Sequence, residues 1–222
     1  IRNRWDNWLG SSHTKNNQEK LQNVSYSTKT RHLRNEYSIA QALYNEKEEM
    51  PVVKVIYLKQ VTRFGLELGY DLLMEYIEGE DLSDRNLIKK MSVDEKIRLF
   101  YQAVKALNYM HKRKIIHMDI KPSNFMLCKG GKLRLIDFGI SVINGHKGHS
   151  IAGTTGYLSP EQVAKETLNE ATDIFALGVT FSTFFGGKPL TQSHSELLQR
   201  SVRRDARYHL NSGDVSVIAE MP

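Results

Sequence analysis

Apolar side chains recur with two different spacings in the first part of the chain. Between positions 33 and 44 they lie three and four residues apart, which predicts an amphipathic helix capped by Ser27 or Thr28. Short runs rich in β-branched and aromatic residues follow at 52–57 and 71–76, and each run predicts a strand. The front of the chain is therefore expected to combine one helix with a small amount of sheet.

Helical spacing dominates the remainder of the chain. Ser92 and Glu95 stand three residues apart at the start of a long amphipathic stripe, which is the arrangement of a capping box. Apolar runs flank the glycine pair 130–131, as is typical of a β-hairpin, and helical patterns resume at 161–185 and 193–203. This order of elements predicts an α+β fold with a small strand-bearing lobe, a larger helical lobe and a cleft between them.

Composition narrows the possible partners only slightly. The 222 residues carry a net charge of +6, with 31 basic and 25 acidic side chains, and the hydrophobic content of 40% is enough for a real core. The basic side chains are scattered along the chain rather than gathered in one tract. We therefore expect a basic surface and no nucleic-acid partner.

The single cysteine and the lengths of the apolar runs indicate the compartment. Cys128 has no second cysteine to pair with, which excludes an internal disulfide and favours a reducing environment. The longest apolar run, near 174–185, is shorter than the ~20 residues that a membrane span needs. We expect an intracellular, cytoplasmic protein without a membrane span. Because the chain starts without Met and ends at Pro222 with no evident closing element, we also expect a fragment.

The densest cluster of reactive side chains lies in His117–Asn124, with the sequence H-M-D-I-K-P-S-N. Asp119, Lys121 and Asn124 place a carboxylate, an ammonium and an amide within six residues. Asp137 follows in an Asp-Phe-Gly triplet. Two oxygen ligands with a lysine nearby are what Mg²⁺ and a phosphoryl group require. The pattern indicates phosphate transfer.

Two residues predict the backbone around this cluster. Pro122 fixes its own φ angle and should exclude a helix, so we expect a rigid loop. Gly139 should permit a tight turn after Asp137 that a bulkier residue would resist.

Three motifs in one order resemble the eukaryotic-type protein kinase family. The family signature includes H-R-D-L-x-x-x-N, D-F-G and A-P-E. The corresponding segments here are His117–Asn124, the triplet Asp-Phe-Gly at 137–139 and the triplet Ser-Pro-Glu at 159–161. The similarity runs from about Thr28 to Phe185. It implies a two-lobed kinase-like fold in which the chain is cut short at both ends.

The resemblance also implies a division of the chain into three parts. Residues 1–75 would form a partial small lobe with its helix and following strands. Residues 76–80 would form the hinge, and residues 81–222 the helical lobe with the catalytic and activation loops. The closing helices of that lobe would be incomplete.

The same resemblance assigns roles in phosphoryl transfer from ATP to Ser or Thr hydroxyls of a protein substrate. Asp119 would orient the acceptor hydroxyl and accept its proton, and Lys121 would neutralise charge on the γ-phosphoryl group. Asn124 and Asp137 would hold the Mg²⁺ ions. Thr154 would bond to the catalytic aspartate and lysine. The Lys-Pro-Ser-Asn run beginning at Lys121 resembles the Ser/Thr-specific branch of the family.

A second group of residues would contact the nucleotide if the resemblance holds. Glu36 occupies the position of a helix glutamate that pairs with a phosphate-gripping lysine. Met74 would be the gatekeeper beside the adenine, and backbone groups of Glu75 and Ile77 would bond to that base. Asp81 stands where a ribose contact is common.

One departure from the family pattern concerns regulation. Met118 replaces the arginine of H-R-D, which ordinarily receives a phosphate on the activation loop. Ser150 stands at the usual phosphorylation position, but a thioether cannot bind a phosphate. We therefore expect little dependence on phosphorylation of that loop.

The other departure concerns the nucleotide site. Neither a glycine-rich loop nor a Val-Ala-Ile-Lys strand precedes Glu36. Lys15, Lys20 and Lys29 are the nearby candidates for the phosphate-gripping lysine, and the first two bracket the separation that the resemblance implies. Either of those two, or no lysine in this chain, could fill the role.

The missing loop and lysine keep open a pseudokinase that acts as a binding or scaffold module. A kinase-like enzyme with a small-molecule acceptor is a separate alternative, and the run Lys121–Asn124 argues against it. The pair His146 and His149 would make at most a weak metal site.

Overall fold

The structure is a computed structural model, and it describes residues 26–190. The helix expected at 193–203 and the candidate lysines Lys15 and Lys20 lie outside the described residues.

The described chain contains five α-helices and seven strands. The helices are α1 (Tyr26–Leu43), α2 (Arg85–Lys90), α3 (Val93–His111), α4 (Pro160–Ala164) and α5 (Glu170–Phe184). The strands are β1 (Val55–Arg63), β2 (Leu66–Met74), β3 (Gly79–Asp81), β4 (Ile115–Ile116), β5 (Phe125–Cys128), β6 (Leu133–Leu135) and β7 (Val142–Ile143). A single 3₁₀ turn covers Pro122–Asn124.

The small lobe consists of α1 packed on the antiparallel pair β1–β2. The turn between the two strands contains Gly65, which has a φ of +78°, a value that side chains other than glycine rarely adopt. Helix α1 already includes Ser27 and Thr28, so the prediction that one of them caps it is wrong. The apolar pattern gave the right helix and placed its start too late.

The first predicted strand is displaced along the sequence. The apolar run at 52–57 suggested a strand there, but β1 begins at Val55 and continues to Arg63. Val52 instead forms a parallel bridge with Leu135, and the Val53 N–H donates to the Leu135 carbonyl at 2.9 Å. The run therefore connects the lobes before it enters the small sheet. The second predicted strand ends at Met74, two residues early, where the chain leaves the sheet.

Helix α3 runs through the larger lobe and starts with the predicted capping box. The Ser92 hydroxyl accepts from the Glu95 N–H at 3.2 Å, and the Glu95 carboxylate accepts from the Ser92 N–H at 2.7 Å. Helix α3 packs against α5, and the exposed Phe100 meets the buried Phe181 edge to face with ring centroids 4.9 Å apart. Such a pair adds about 1 kcal/mol to the burial of its surface.

The candidate catalytic segment, His117–Asn124, leads directly into β5, the central strand of a three-stranded sheet in the order β3–β5–β6. The hairpin predicted at 130–131 joins β5 to β6, and both glycines have positive φ angles. Gly79 opens β3 opposite Cys128, and a Cβ atom there would lie 2.2 Å from the Leu127 carbonyl oxygen. The close approach of the two strand backbones therefore explains why a glycine is found at this position.

The α+β architecture with two lobes agrees with the prediction from the sequence. One apolar cluster continues from the small lobe into the large one, and its fully buried members include Leu43, Val52, Leu107, Phe125 and Leu177. Within residues 26–190, no helix combines the length and apolar character needed to cross a bilayer.

Candidate active site

A buried carboxylate from α5 fixes the backbone at the start of the catalytic segment. The Asp173 side chain accepts from the backbone N–H groups of His117 and Met118 at 2.8 and 2.9 Å. His111, at the end of α3, lies 2.8 Å from the same carboxylate through Nε2. Because Asp173 is fully buried, these hydrogen bonds compensate for the water that its carboxylate loses on burial. Helices α3 and α5 therefore fix the start of the catalytic segment.

The imidazole of His117 joins the catalytic segment to the Asp-Phe-Gly triplet. Its Nε2 lies 3.1 Å from the Ile136 carbonyl oxygen, and its Nδ1 accepts from the Asp119 N–H at 3.3 Å. An Nδ1 that accepts leaves Nε2 as the donor, so the neutral ring fits this site. The ring also meets Phe138 edge to face at 5.8 Å.

Three side chains meet in a closed triangle beside this anchored backbone. Lys121 Nζ lies 2.7 Å from Asp119 Oδ2 and 2.7 Å from Thr154 Oγ1. Thr154 Oγ1 in turn donates to Asp119 Oδ1 at 2.7 Å. The structure thus brings together two residues of the catalytic segment and one that is 33 positions beyond the lysine.

The surroundings of Asp119 keep its carboxyl group ionised. Burial alone raises the pKa of this carboxyl, but the Lys121 ammonium and the hydrogen bonds from Lys121 and Thr154 lower it further than burial raises it. The net pKa therefore lies below the ordinary value of an aspartate. A carboxylate that is charged and partly desolvated can accept a hydrogen bond from an approaching hydroxyl.

Asn124 lies beside the triangle and is itself buried. Its Nδ2 donates to the Asp119 carbonyl at 2.8 Å and to the Asp119 carboxylate at 3.3 Å. This use of the nitrogen leaves the amide oxygen as the group that can face a cation.

Asn124 closes the 3₁₀ turn whose first residue is Pro122. The expectation that Pro122 excludes any helix is therefore wrong, because proline is well tolerated at the first position of a helical turn.

The turn at Asp137 differs from the expectation based on Gly139. Asp137 has the left-handed φ of +69°, and its Oδ1 accepts from the Gly139 N–H at 3.2 Å. Gly139 lies in a closely packed position, since a Cβ atom there would lie 3.3 Å from Asp137 Oδ1 and 3.4 Å from His32 Cβ. The strained residue is therefore the candidate metal ligand itself.

Glu36 on α1 faces the same turn from the small lobe. Burial, reinforced by the negative charge of Asp137, raises the pKa of Glu36 to about 8, while a hydrogen bond from the Phe138 backbone acts in the opposite direction. None of the ion pairs formed within residues 26–190 includes Glu36. In the described part of the chain this glutamate thus meets a carboxylate, not the lysine that the resemblance implies.

Asn35, next to Glu36, was missed by the sequence analysis. Its Nδ2 lies within 2.9–3.1 Å of the carbonyl oxygens of Phe138, Gly139 and Ser141. One amide of the small lobe therefore contacts three backbone groups that follow Asp137. An asparagine inside a helix has weak helix propensity, and that is the signal that could have pointed to it.

The candidate hinge residues line the connection between the lobes. Met74 ends β2 and is half-buried, as is Ile77. The Glu75 N–H already donates to the Lys54 carbonyl at 2.9 Å, and its carboxylate accepts from the Lys54 N–H at 2.8 Å. Asp81 ends β3 and accepts from the Ser83 N–H at 2.8 Å. These residues lie in one continuous segment beside the catalytic segment.

The side chains that pack around Met118 are apolar. Met118 is buried against Ile116 and Leu168, while Ser150 is exposed. The rings of His146 and His149 lie 6.5 Å apart. Among residues 26–190, no group of three or more His, Cys, Asp or Glu side chains is arranged to hold a metal ion.

The chain matches one family over nearly its whole length. The model of the protein kinase domain matches residues 14–217. The chain therefore belongs to the protein kinase domain family, as its three motifs indicated.

Individual relatives are protein kinases from distant organisms. An Aurora kinase of Eremothecium gossypii is 37% identical over 136 residues, which are 59% of this chain and 37% of that protein. A probable cAMP-dependent protein kinase catalytic subunit of Encephalitozoon cuniculi is 35% identical over 160 residues, 71% of this chain and 47% of that protein. The serine/threonine-protein kinase PknB of Mycolicibacterium smegmatis is 34% identical over 125 residues, 53% of this chain and 20% of that protein. The chain thus spans less than half the length of these relatives.

Proposed function

We propose that this protein transfers the γ-phosphoryl group of ATP to Ser or Thr hydroxyls of protein substrates, with Mg²⁺ as the metal. The observation that carries the proposal is the closed triangle of Asp119, Lys121 and Thr154, with Asn124 bonded to the same aspartate. Its supporting context is membership of the protein kinase domain family and similarity to Ser/Thr kinases.

Asp119 would orient the acceptor hydroxyl and take its proton. A hydroxyl is a weak nucleophile, so its alignment with the phosphorus and late loss of its proton are the main demands on the protein. The lowered pKa of the Asp119 carboxyl keeps it ionised and ready to accept that hydrogen bond. Thr154 holds one carboxylate oxygen in place through its hydroxyl.

Lys121 would stabilise the charge that spreads over the transferred group. Its ammonium is already fixed by Asp119 and Thr154, so little reorganisation is needed when the phosphoryl oxygens arrive. Because it is only partly exposed, its charge is screened less than that of a surface lysine.

The metal fits the donor atoms that this chain supplies. The Asn124 oxygen and the Asp137 carboxylate are hard oxygen ligands, and Mg²⁺ usually takes only one or two protein groups with phosphates and water as the remainder. When bound, the ion supplies charge neutralisation at the phosphate oxygens. Asp137 is held for this task by the Gly139 N–H.

The nucleotide would lie along the connection between the lobes. The adenine would contact backbone groups of Glu75 and Ile77 beside Met74, and the ribose would approach Asp81. A phosphate-gripping lysine for Glu36 would come from outside residues 26–190, where Lys15 and Lys20 are the candidates, or be absent from this chain; within those residues the charge that acts on Glu36 is that of Asp137.

Transfer assays with conservative variants test the proposal. The purified protein is incubated with labelled ATP, Mg²⁺ and a mixed peptide library. Asp119→Asn and Asp137→Asn should each reduce transfer by at least about a hundredfold, because each removes a charge without changing side-chain size. Asp71→Asn changes an exposed carboxylate on β2 and should leave transfer unchanged.

Two outcomes would overturn the proposal. Thermal stabilisation by ATP without any transfer would identify a pseudokinase that acts as a binding module. Transfer to a small molecule but to no peptide would identify a different acceptor class.

A further inference from the structure

Gln162, the residue after the Ser-Pro-Glu triplet, is buried and uses its whole side chain in hydrogen bonds. Its Nε2 donates to the Met118 carbonyl at 2.9 Å and to the Ala152 carbonyl at 3.0 Å. Its Oε1 accepts from the Ser159 N–H at 3.0 Å. Only 3% of the residue is exposed, so these bonds are sheltered from water.

The two carbonyls that accept from Gln162 flank the reacting groups. Met118 directly precedes Asp119, and Ala152 lies two positions before Thr154. One amide group therefore joins the backbone next to the catalytic aspartate to the backbone next to its threonine partner. Asp119 and Thr154 in turn share a 2.7 Å hydrogen bond.

Close packing at Gly153 shows how little room this bridge leaves. The residue has a φ of +119°, and a Cβ atom built on it would lie 3.0 Å from the Met118 oxygen and 3.1 Å from Gln162 Nε2. Any larger residue would push the activation segment, which lies between β7 and α4, away from the catalytic segment. The glycine thus permits the approach that the glutamine bonds require.

Apolar packing surrounds the bridge where the family pattern has an arginine. Met118, at 7% exposure, packs with Ile116 and Leu168, and Ala152 is partly buried against the same cluster. The activation segment is therefore joined to the catalytic segment by an amide and by buried apolar surface.

We propose that Gln162 is a positioning residue that holds Thr154 against Asp119 for phosphoryl transfer and does so without a phosphate on the activation segment. This inference rests on the proposed kinase function for its kinetic consequences. It acts through the two backbones and not through contact with the substrate. Loss of the bridge should therefore lower kcat and leave nucleotide affinity nearly unchanged.

Two variants and a matched control measure that effect. Gln162→Met keeps the length and burial of the side chain and removes its donors and acceptor, and Gln162→Glu keeps an acceptor and removes the donors. Both should lower kcat about tenfold or more while the KM for ATP stays within about twofold. Gln102→Met is the control, because Gln102 in the middle of α3 also bridges two backbone groups. Its Nε2 donates to the Gly131 carbonyl at 2.9 Å, and its Oε1 accepts from the Leu133 N–H at 3.0 Å.

Hydrogen exchange separates a failure of this inference from a failure of the proposed function. If the wild-type protein shows no transfer that depends on Asp119, the kinase proposal fails. Exchange then decides the inference, since the backbone amides at 150–156 should exchange faster in both Gln162 variants and not in Gln102→Met. Unchanged exchange, a wild-type kcat, a raised KM at constant kcat, or an equal loss in the control would each overturn it.

Discussion

At the scale of single residues, Glu36 has the most unusual environment in the described chain. It is buried, it faces Asp137, and its pKa is raised to about 8 from the ordinary 4.5. A protonated glutamate cannot pair with a lysine as a charged partner. The protonation state of Glu36 therefore indicates whether a lysine from outside residues 26–190 lies close enough to pair with it.

The pH dependence of stability reveals the protonation state of Glu36. Between pH 4.5 and about 8 the unfolded chain has an ionised Glu36, while the folded chain keeps it protonated. The folded state then binds more protons, so the free energy of unfolding falls as pH rises through this window. Glu36→Gln removes the loss, and at pH 8 it should raise that free energy by an amount on the order of a few kcal/mol. Urea denaturation at pH 5 and pH 8 measures the difference.

Glu80→Gln is the control, since it changes an exposed carboxylate on β3. A Glu36→Gln protein that is less stable than wild type at pH 8 would contradict the prediction and indicate a lysine partner. The same measurement in a Lys15→Met or Lys20→Met background would then identify that lysine, because the sign of the effect should revert in only one of them.

At the scale of elements, the segment that the kinase resemblance identifies as the activation segment lies between β7 and α4. Its Ser150 is exposed, and the Met118 side chain packs into an apolar cluster with no charge for a phosphate. A phosphate on Ser150 would lack the charge-assisted hydrogen bonds that an arginine provides.

Ser150→Ala should therefore keep at least about half of the wild-type transfer rate, because the segment does not depend on the modification. Initial rates on a peptide acceptor, with phosphorylation of the purified protein measured by mass spectrometry, provide the test. Thr155→Ala, at another exposed hydroxyl of the same segment, is the control. Activity of the Ser150 variant below about a tenth of wild type would show that phosphorylation does matter.

The elements also show what a sequence can predict. The capping box at Ser92 and the hairpin at 130–131 were predicted correctly because the residues that define them lie close together in the sequence: three positions apart in the capping box, and at most ten in the hairpin. The strand expected at 52–57 was displaced because Val52 pairs with Leu135, a partner that local pattern cannot reveal. The motifs placed Asp119 and Lys121 together for the same local reason.

Other parts of the site depend on tertiary contacts and could not be predicted. Gln162 bridges carbonyls 44 and 10 positions away, and Asn35 reaches carbonyls more than 100 positions away. His111 meets Asp173 across 62 positions. The residue types do not identify these partners, because a glutamine, asparagine or histidine side chain can form hydrogen bonds with many different groups.

At the scale of the whole molecule, Asn35 connects the lobes at the candidate active site. Helix α1 belongs to the small lobe, and the carbonyls of Phe138, Gly139 and Ser141 belong to the larger one. The hydrogen bonds are partly buried, so their loss leaves acceptors that water satisfies only in part.

Asn35→Ala should lower the free energy of unfolding by about 1–2 kcal/mol, since an isolated lost donor of this kind costs roughly that amount. Transfer should fall as well, because the Asp137 turn loses a contact. Urea denaturation and initial rates measure the two effects. Asn86→Ala, on the exposed side of α2, is the control and should change neither. Equal stability of Asn35→Ala and wild type would contradict the interlobe role.

The pairing of β3 with β5 has a practical consequence for experiments on motion. Cys128, the only thiol in the sequence, lies opposite Gly79, where the connection between the lobes enters the larger one. It is partly exposed, and no second cysteine competes for a thiol reagent. A single fluorophore or spin label attached there would be site-specific without any engineered substitution. Such a label would report opening and closing of the cleft from a fixed point at its edge.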